Sequence, residues 1–161
     1  MKLTTVASVM AAVAIVTCAD LVQAQRAPYG PPITLEQAKK VVAAAEEEAK
    51  KNDSTVAIAI LDSGCNLVLL HKFDNTNLAA TQIAQDKAYT ACAFRLPTKA
   101  AQDNLAKGGE GWRFLQLHRM TAVEGAVPIV TDGKTVGAIG VSGVTSEQDG
   151  QIASAGAAAL K

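Results

Sequence analysis

The chain has 161 residues, 49% of them apolar and 4% aromatic, with a formal net charge of +0 at neutral pH. That length suits one domain with one core, which must be assembled from Ala, Val, Ile and Leu at close helix–sheet distances. With no net charge and no run of Lys or Arg longer than two, the long-range attraction that favours nucleic acid or an anionic membrane is missing.

Residues 1–24 read as an export signal. Lys2 supplies the positive start, Val6 to Ala19 the apolar stretch, and Val22-Gln23-Ala24 the cleavage site. The apolar stretch falls short of the ~20 residues that span a bilayer, and Thr17 is a poor residue before a lipid-bearing Cys18. The expectation is a mature chain starting at Gln25, periplasmic or secreted, still of zero net charge and with no stable membrane anchor. Cys65 and Cys92 survive cleavage in a compartment that permits disulfides. The sequence leaves open whether they pair or serve separately as a turn residue and a buried helical residue.

Residues 25–33, rich in Pro and Gly, form an extended lead-in, and 34–161 a single domain. Thr34 and Gln37 fit a capping box at the start of a helix running to about Lys51, with Leu35, Ala38, Val41, Val42, Ala45 and Ala49 on its apolar face. Val56 to Leu61 and Leu67 to Phe73 read as a hairpin around the turn 62–66. Both strands carry apolar residues on both faces, so the sheet should be covered on both sides, by helices or by another subunit. A helix follows from Leu78 to Arg95, with Ala80, Ile83, Ala84, Lys87, Ala88 and Ala91 in one stripe. Leu96-Pro97 ends it, and Thr98 is expected to cap a short helix from Lys99 to about Lys107. Gly108 to Gly111 reads as a flexible loop. Met120 to Val123, Val127 to Val130 and Thr135 to Ser142 read as three more strands, with Thr131 to Lys134 turning between the last two. A closing helix, Ser146 to Leu160, is expected to start with a Ser146–Asp149 capping box. The hairpins and flanking helices predict an α/β (α+β) fold with a five-stranded antiparallel sheet.

The glycine-rich end of the last strand, Gly140 to Gly143, stands directly before this helix. A nucleotide cradle is disfavoured, because no phosphate-binding Lys follows and the glycines alternate inside the strand. Gly137 and Gly140 are better explained by close approach of a helix or a neighbouring chain.

Val136 to Gly143 followed by Glu147-Gln148-Asp149, together with Asp86 to Ala91 and Arg95 to Thr98, strongly resembles the GlcG/HbpS-like family, which includes the C-terminal domain of PduO-type proteins. Ile60 to Val68 and Glu124 to Ile129 extend the match over roughly Ile33 to Leu160. Cys65 stands where the family often has a second Gly, and Ala126 in a usually Gly-rich approach to Pro128. The resemblance implies a profilin-like fold, assembly into homo-oligomers and, in exported members, haem binding with iron release. No shared axial-ligand motif maps onto this chain.

Haem requires an axial donor, an apolar slot and cations for its propionates. The two histidines, His71 and His118, are the candidate iron ligands. His118 has Arg119, Arg113 and Trp112 nearby, and either arginine offers a propionate partner; solvent exposure or subunit ion pairs explain the same residues. Lys87 points to a ligand carboxylate or to an ion pair with Asp62 or Asp149. Two readings of function stand: an exported protein binding haem or a related tetrapyrrole or iron species, and an enzyme or binding protein for a small organic acid, using Lys87 and Arg95. Serine chemistry is unsupported, since Ser63, Ser142 and Ser146 lack a nucleophile elbow. A non-classical activity such as haem degradation, and a purely structural oligomer, remain open.

Overall fold

Two capping boxes and one glycine–alanine contact set the frame. The computed structural model describes residues 26–160; the expected export signal and cleavage site lie outside them. Helix α1, Leu35–Lys51, begins at Thr34, whose hydroxyl accepts from the Gln37 N–H while the Gln37 amide oxygen accepts from the Thr34 N–H. It buries Ala38, Val41, Val42, Ala45 and Ala49; Leu35 lies at the edge, 49% exposed. Strands β1, Ala57–Asp62, and β2, Leu67–Lys72, flank a turn in which the Asp62 carboxylate accepts from the N–H groups of Gly64 and Asn66. Helices α2, Ala80–Phe94, and α3, Thr98–Ala106, lead into a 3-10 helix, Gly109–Gln116. Strands β3, Ala126–Thr131, and β4, Lys134–Ser142, precede α4, Ser146–Ala158. Asp132 and Gly133 both have positive φ, as a tight two-residue hairpin requires.

The sheet is antiparallel throughout, in the order β2-β1-β4-β3. It has four strands, not the five the sequence predicts. Residues 120–123 form no strand because their backbone is engaged elsewhere: the Met120 N–H donates to Leu117 O and the Thr121 N–H to Thr90 Oγ1, and just beyond them the Glu124 N–H donates to Gln102 Oε1. The presumed flexible loop at Gly108–Gly111 is instead the entry to the 3-10 helix. Two caps also differ from expectation. Thr98 does not cap α3; its hydroxyl bonds the Ala126 N–H and carbonyl across the fold. The last helix is capped by Thr145 with Gln148, one residue before the expected pair, which frees Asp149 for another role.

One sheet face, with Ile58, Ile60, Ile139 and Val141, packs against α1 and α4. The other is lined with Ala57, Ala59 and Ala138 and meets Ala80, Ala84, Ala88 and Ala91 of α2. A Cβ on Gly140 would run into the Ala84 carbonyl and the Ala88 N–H, so the close approach expected of this glycine is what it provides. The α2 layer covers β2 only in part, leaving Leu67 and Leu70 48% and 38% exposed, so on this strand helices alone do not supply the expected cover.

The lead-in lies along the start of β4, beyond the end of β1. Gly30 N–H donates to Thr135 O, Thr135 N–H to Pro28 O, and Ile33 N–H to Val136 O. Cys65, in the β1–β2 turn, and Cys92, in the last turn of α2, form a disulfide with Cα atoms 5.8 Å apart. Cys65 sits at φ +62°, a conformation that suits glycine.

The bridge closes a loop spanning 27 positions, which on the chain-entropy estimate corresponds to about 3.5 kcal/mol of stability. Cys92→Ala should lower the urea midpoint accordingly. In reductant, Cys65→Gly should be more stable than Cys65→Ala by about 1 kcal/mol, because only glycine occupies the left-handed region without steric cost.

Candidate functional site

Of the polar residues singled out by the sequence, Lys87 lies in helix α2 and Arg95 caps its C-terminus, and the two have different environments. Lys87 points to the side of α2 that faces the β4–α4 corner and is 2% exposed. Its ammonium donates to Asp149 Oδ2 at 2.8 Å and to Val141 O at 3.1 Å. Asp149 Oδ1 accepts in turn from the Val144 N–H. Gly125, at φ +139°, passes so close that a Cβ would lie 2.5 Å from Lys87 Nζ. The partner that the sequence left open for Lys87 is thus Asp149. Burial holds the Asp149 carboxyl above its usual value, outweighing the Lys87 ammonium and the Val144 N–H, which pull it down.

Arg95, eight residues further on, is roughly 12 Å along the helix axis. It stops α2 in a left-handed conformation at φ +50°. Its guanidinium lies 4.9 Å from the Tyr29 ring centroid and donates to Ala27 O. Lys87 and Arg95 therefore do not converge on one pocket, and the polar site that the organic-acid reading requires is not formed by them.

Beyond Arg95 the chain builds a cavity of about 400 Å³, lined by Phe94, Leu96, Ala101, Phe114 and Leu117, with Arg26 and Arg113 among its walls. That volume falls in the range of small-molecule sites. It has the two features an amphipathic anion needs, an apolar slot and cations at its wall. Arg113 has one exposed ion pair, with Glu110 at 3.5 Å, so it is available to a ligand. Arg26 and the apolar lining were not found from the sequence; the usable signal was the alternation Phe94-Arg95-Leu96 at a helix stop.

His118 follows this segment, exposed, one residue beyond Leu117. Its neighbour Arg119 turns away, with its guanidinium 3.9 Å from the Tyr89 ring centroid. The expected His118–Arg119–Arg113 cluster is split: Arg113 lines the cavity and Arg119 stacks on α2. His71 lies elsewhere, half-buried on β2. It meets Phe73 edge to face and opens to a shallow cavity with Glu46, Lys50, Lys72 and Asp74. The two histidines are not brought together. Among the described residues, no three His, Cys, Asp or Glu side chains gather as a metal site, and no helix is long and apolar enough to cross a membrane.

The family model described as haem degrading protein HbpS-like matches residues 33–158. The chain belongs to the HbpS-like family. It is 40% identical to protein GlcG of Escherichia coli K12 over 110 residues, covering 68% of this chain and 81% of GlcG. The crystal structure of HbpS is similar with a TM-score of 0.74 at 30% identity, over 82% of this chain and 92% of that one. The structure of a PduOC–haem complex shares the fold with a TM-score of 0.73 at 23% identity, over 81% and 96%.

The HbpS-like segments at 86–91 and 136–149 coincide with the Lys87–Asp149 pair and the close contact of α2 with Gly140. In this chain those segments hold the scaffold together, while the apolar cavity lies beyond them, where α2 ends.

Lys87→Met should cost about 3–5 kcal/mol in urea denaturation, because it leaves Asp149 buried without its counter-charge. The pH dependence has a definite sign. A carboxyl raised in the folded state binds its proton more tightly folded than unfolded. Stability should therefore fall as pH rises from the usual value of 3.8 through Asp149's own, and Asp149→Asn should remove that slope.

Proposed function

We propose that this protein binds haem or a related tetrapyrrole in the cavity between the end of α2, α3 and the 3-10 helix. The observation that carries the reading is the pairing of an apolar slot, made by Phe94, Leu96, Phe114 and Leu117, with Arg26 and Arg113, in a chain of the HbpS-like family. The cavity is too small to enclose a whole porphyrin, so part of the ring would rest on neighbouring exposed apolar side chains, of which Trp112 and Leu115 are 63% and 70% exposed. The cavity lining fits the ring and its propionates, with apolar side chains for the macrocycle and guanidinium groups for the carboxylates; His118, the exposed residue after the lining Leu117, is the ligand proposed for the iron. His71, beside Glu46 and Lys50, has a polar and open setting, which suits a surface role.

Titrating the purified protein with hemin should give a saturable Soret shift that is lost in His118→Ala and kept in His71→Ala. Equal responses in all three proteins would reduce the interaction to adsorption and overturn the assignment.

The proposal includes export and self-association. The export pattern of residues 1–24 and the Cys65–Cys92 disulfide, a bond favoured by oxidising compartments, support the first. The exposed Leu67 and Leu70 on edge strand β2, which a second copy would cover, support the second. Native mass spectrometry of protein recovered outside the cytoplasm should find a chain beginning at Gln25, two hydrogens lighter than the reduced form and in multiples of its own mass.

A further inference from the structure

Arg26 belongs to the lead-in, not to the elements that form the rest of the cavity, and the reason it reaches the cavity is specific. Three residues beyond Cys92, at Arg95, the helix has stopped, and its last carbonyls are open to further partners. Tyr29 reaches two of them: its hydroxyl lies 2.9 Å from Cys92 O, which also accepts from the Arg95 N–H, and 3.0 Å from Ala93 O, and donates to this pair. The Tyr29 ring lies under the Arg95 guanidinium, and Ala27 O accepts from both Arg95 Nη1 and Thr135 Oγ1. The lead-in is therefore fixed on both sides of Ala27, and Arg26, the next residue back, is held at the cavity wall. Among the described residues no carboxylate forms an ion pair with Arg26.

We propose that Arg26 and Arg113 make this cavity selective for apolar ring systems bearing two carboxylates, with Tyr29 and Arg95 as positioning residues for Arg26. This rests on the tetrapyrrole reading and specifies which chemical feature of the ligand is recognised. A guanidinium forms two parallel hydrogen bonds to a carboxylate, and these strengthen beside an apolar wall where water is scarce. An esterified carboxyl loses the charge and cannot be held in this way. The two arginines come from different parts of the chain, one from the lead-in and one from the 3-10 helix, so a diacid would also tie these parts together.

The test compares protoporphyrin IX with its dimethyl ester, read by quenching of Trp112, the one tryptophan in the sequence. Neither probe carries iron, so the result does not depend on His118. The free acid should bind at least about ten-fold more tightly than the ester. Arg26→Ala and Arg113→Ala should each erase most of that preference while leaving ester binding and the melting temperature unchanged. Tyr29→Phe, which keeps the ring and deletes the hydroxyl, should reduce the preference in part, an effect that a general loss of stability would not confine to the acid. Equal affinity of the wild-type protein for acid and ester, or a preference retained in Arg26→Ala, would overturn the inference and leave the tetrapyrrole reading standing. Failure of both probes to bind would overturn the reading and the inference together.

Discussion

The close approach of α2 to the sheet is the constraint on which the rest depends. Alanines at 80, 84, 88 and 91 meet alanines of β1 and β4, and Gly140 has no side chain to hold the helix off. Packing of this kind gains little from the size of any one side chain and much from the number of contacts made at short range. It also leaves no slack, so whatever fixes the ends of α2 fixes its register on the sheet. Cys92 is bridged to the β1–β2 turn, and Thr90 receives the Thr121 N–H. Lys87 reaches across to α4. These three ties act on neighbouring turns of the helix, toward its C-terminal half.

The Lys87–Asp149 pair is best understood as a device of geometry. Taking two charges out of water costs several kcal/mol per ion, and their attraction returns that only when the remaining hydrogen-bonding positions are filled. Here Val141 O and the Val144 N–H fill them, and no buried side-chain polar atom among the described residues lacks a partner. The upward displacement of the Asp149 carboxyl shows that burial still dominates. An apolar pair could hold α2 against α4 as firmly. The ion pair excludes registers that would leave either charge alone, and Gly125, unable to accommodate a Cβ beside Lys87, narrows the choice further.

Much of the scaffold was legible because its signals are local. The Thr34–Gln37 box, the Asp132-Gly133 turn and the small-residue stripe of α2 each depend on residues within a turn or two of one another. The errors have the opposite character. Residues 120–123 read as a strand by composition, but the Thr121 N–H is taken by the side chain of Thr90, 31 positions away, and the adjoining Glu124 N–H by Gln102, 22 positions away. The α4 cap is a local exception, misplaced by one residue although Thr145 with Gln148 forms the full capping box and Ser146 has only the shorter Asp149 as partner; with Thr145 as cap, Asp149 turns inward to Lys87. The candidate site was only partly visible. Arg113 was identified by its neighbours in sequence, whereas Arg26 reaches the same cavity through Tyr29 and the end of α2, a relation between residues more than sixty positions apart.

The location of the cavity follows from how α2 ends. Arg95 adopts a left-handed conformation that glycine more often supplies, and the next residues, Leu96 and Pro97, cannot continue the helix. This stop turns Phe94 and Leu96 toward α3 and the 3-10 helix as cavity wall, and leaves the carbonyls of Cys92 and Ala93 within reach of Tyr29, the first shared with the Arg95 N–H. The negative end of a helix dipole favours cations, and Arg95 is placed there. A glycine at position 95 would satisfy the backbone equally well, but it would remove the guanidinium that stacks on Tyr29 and holds Ala27. The side chain at this strained position thus links the helix stop to the placement of Arg26, and through it one local feature of the backbone determines both where the apolar slot opens and which charge lies at its wall.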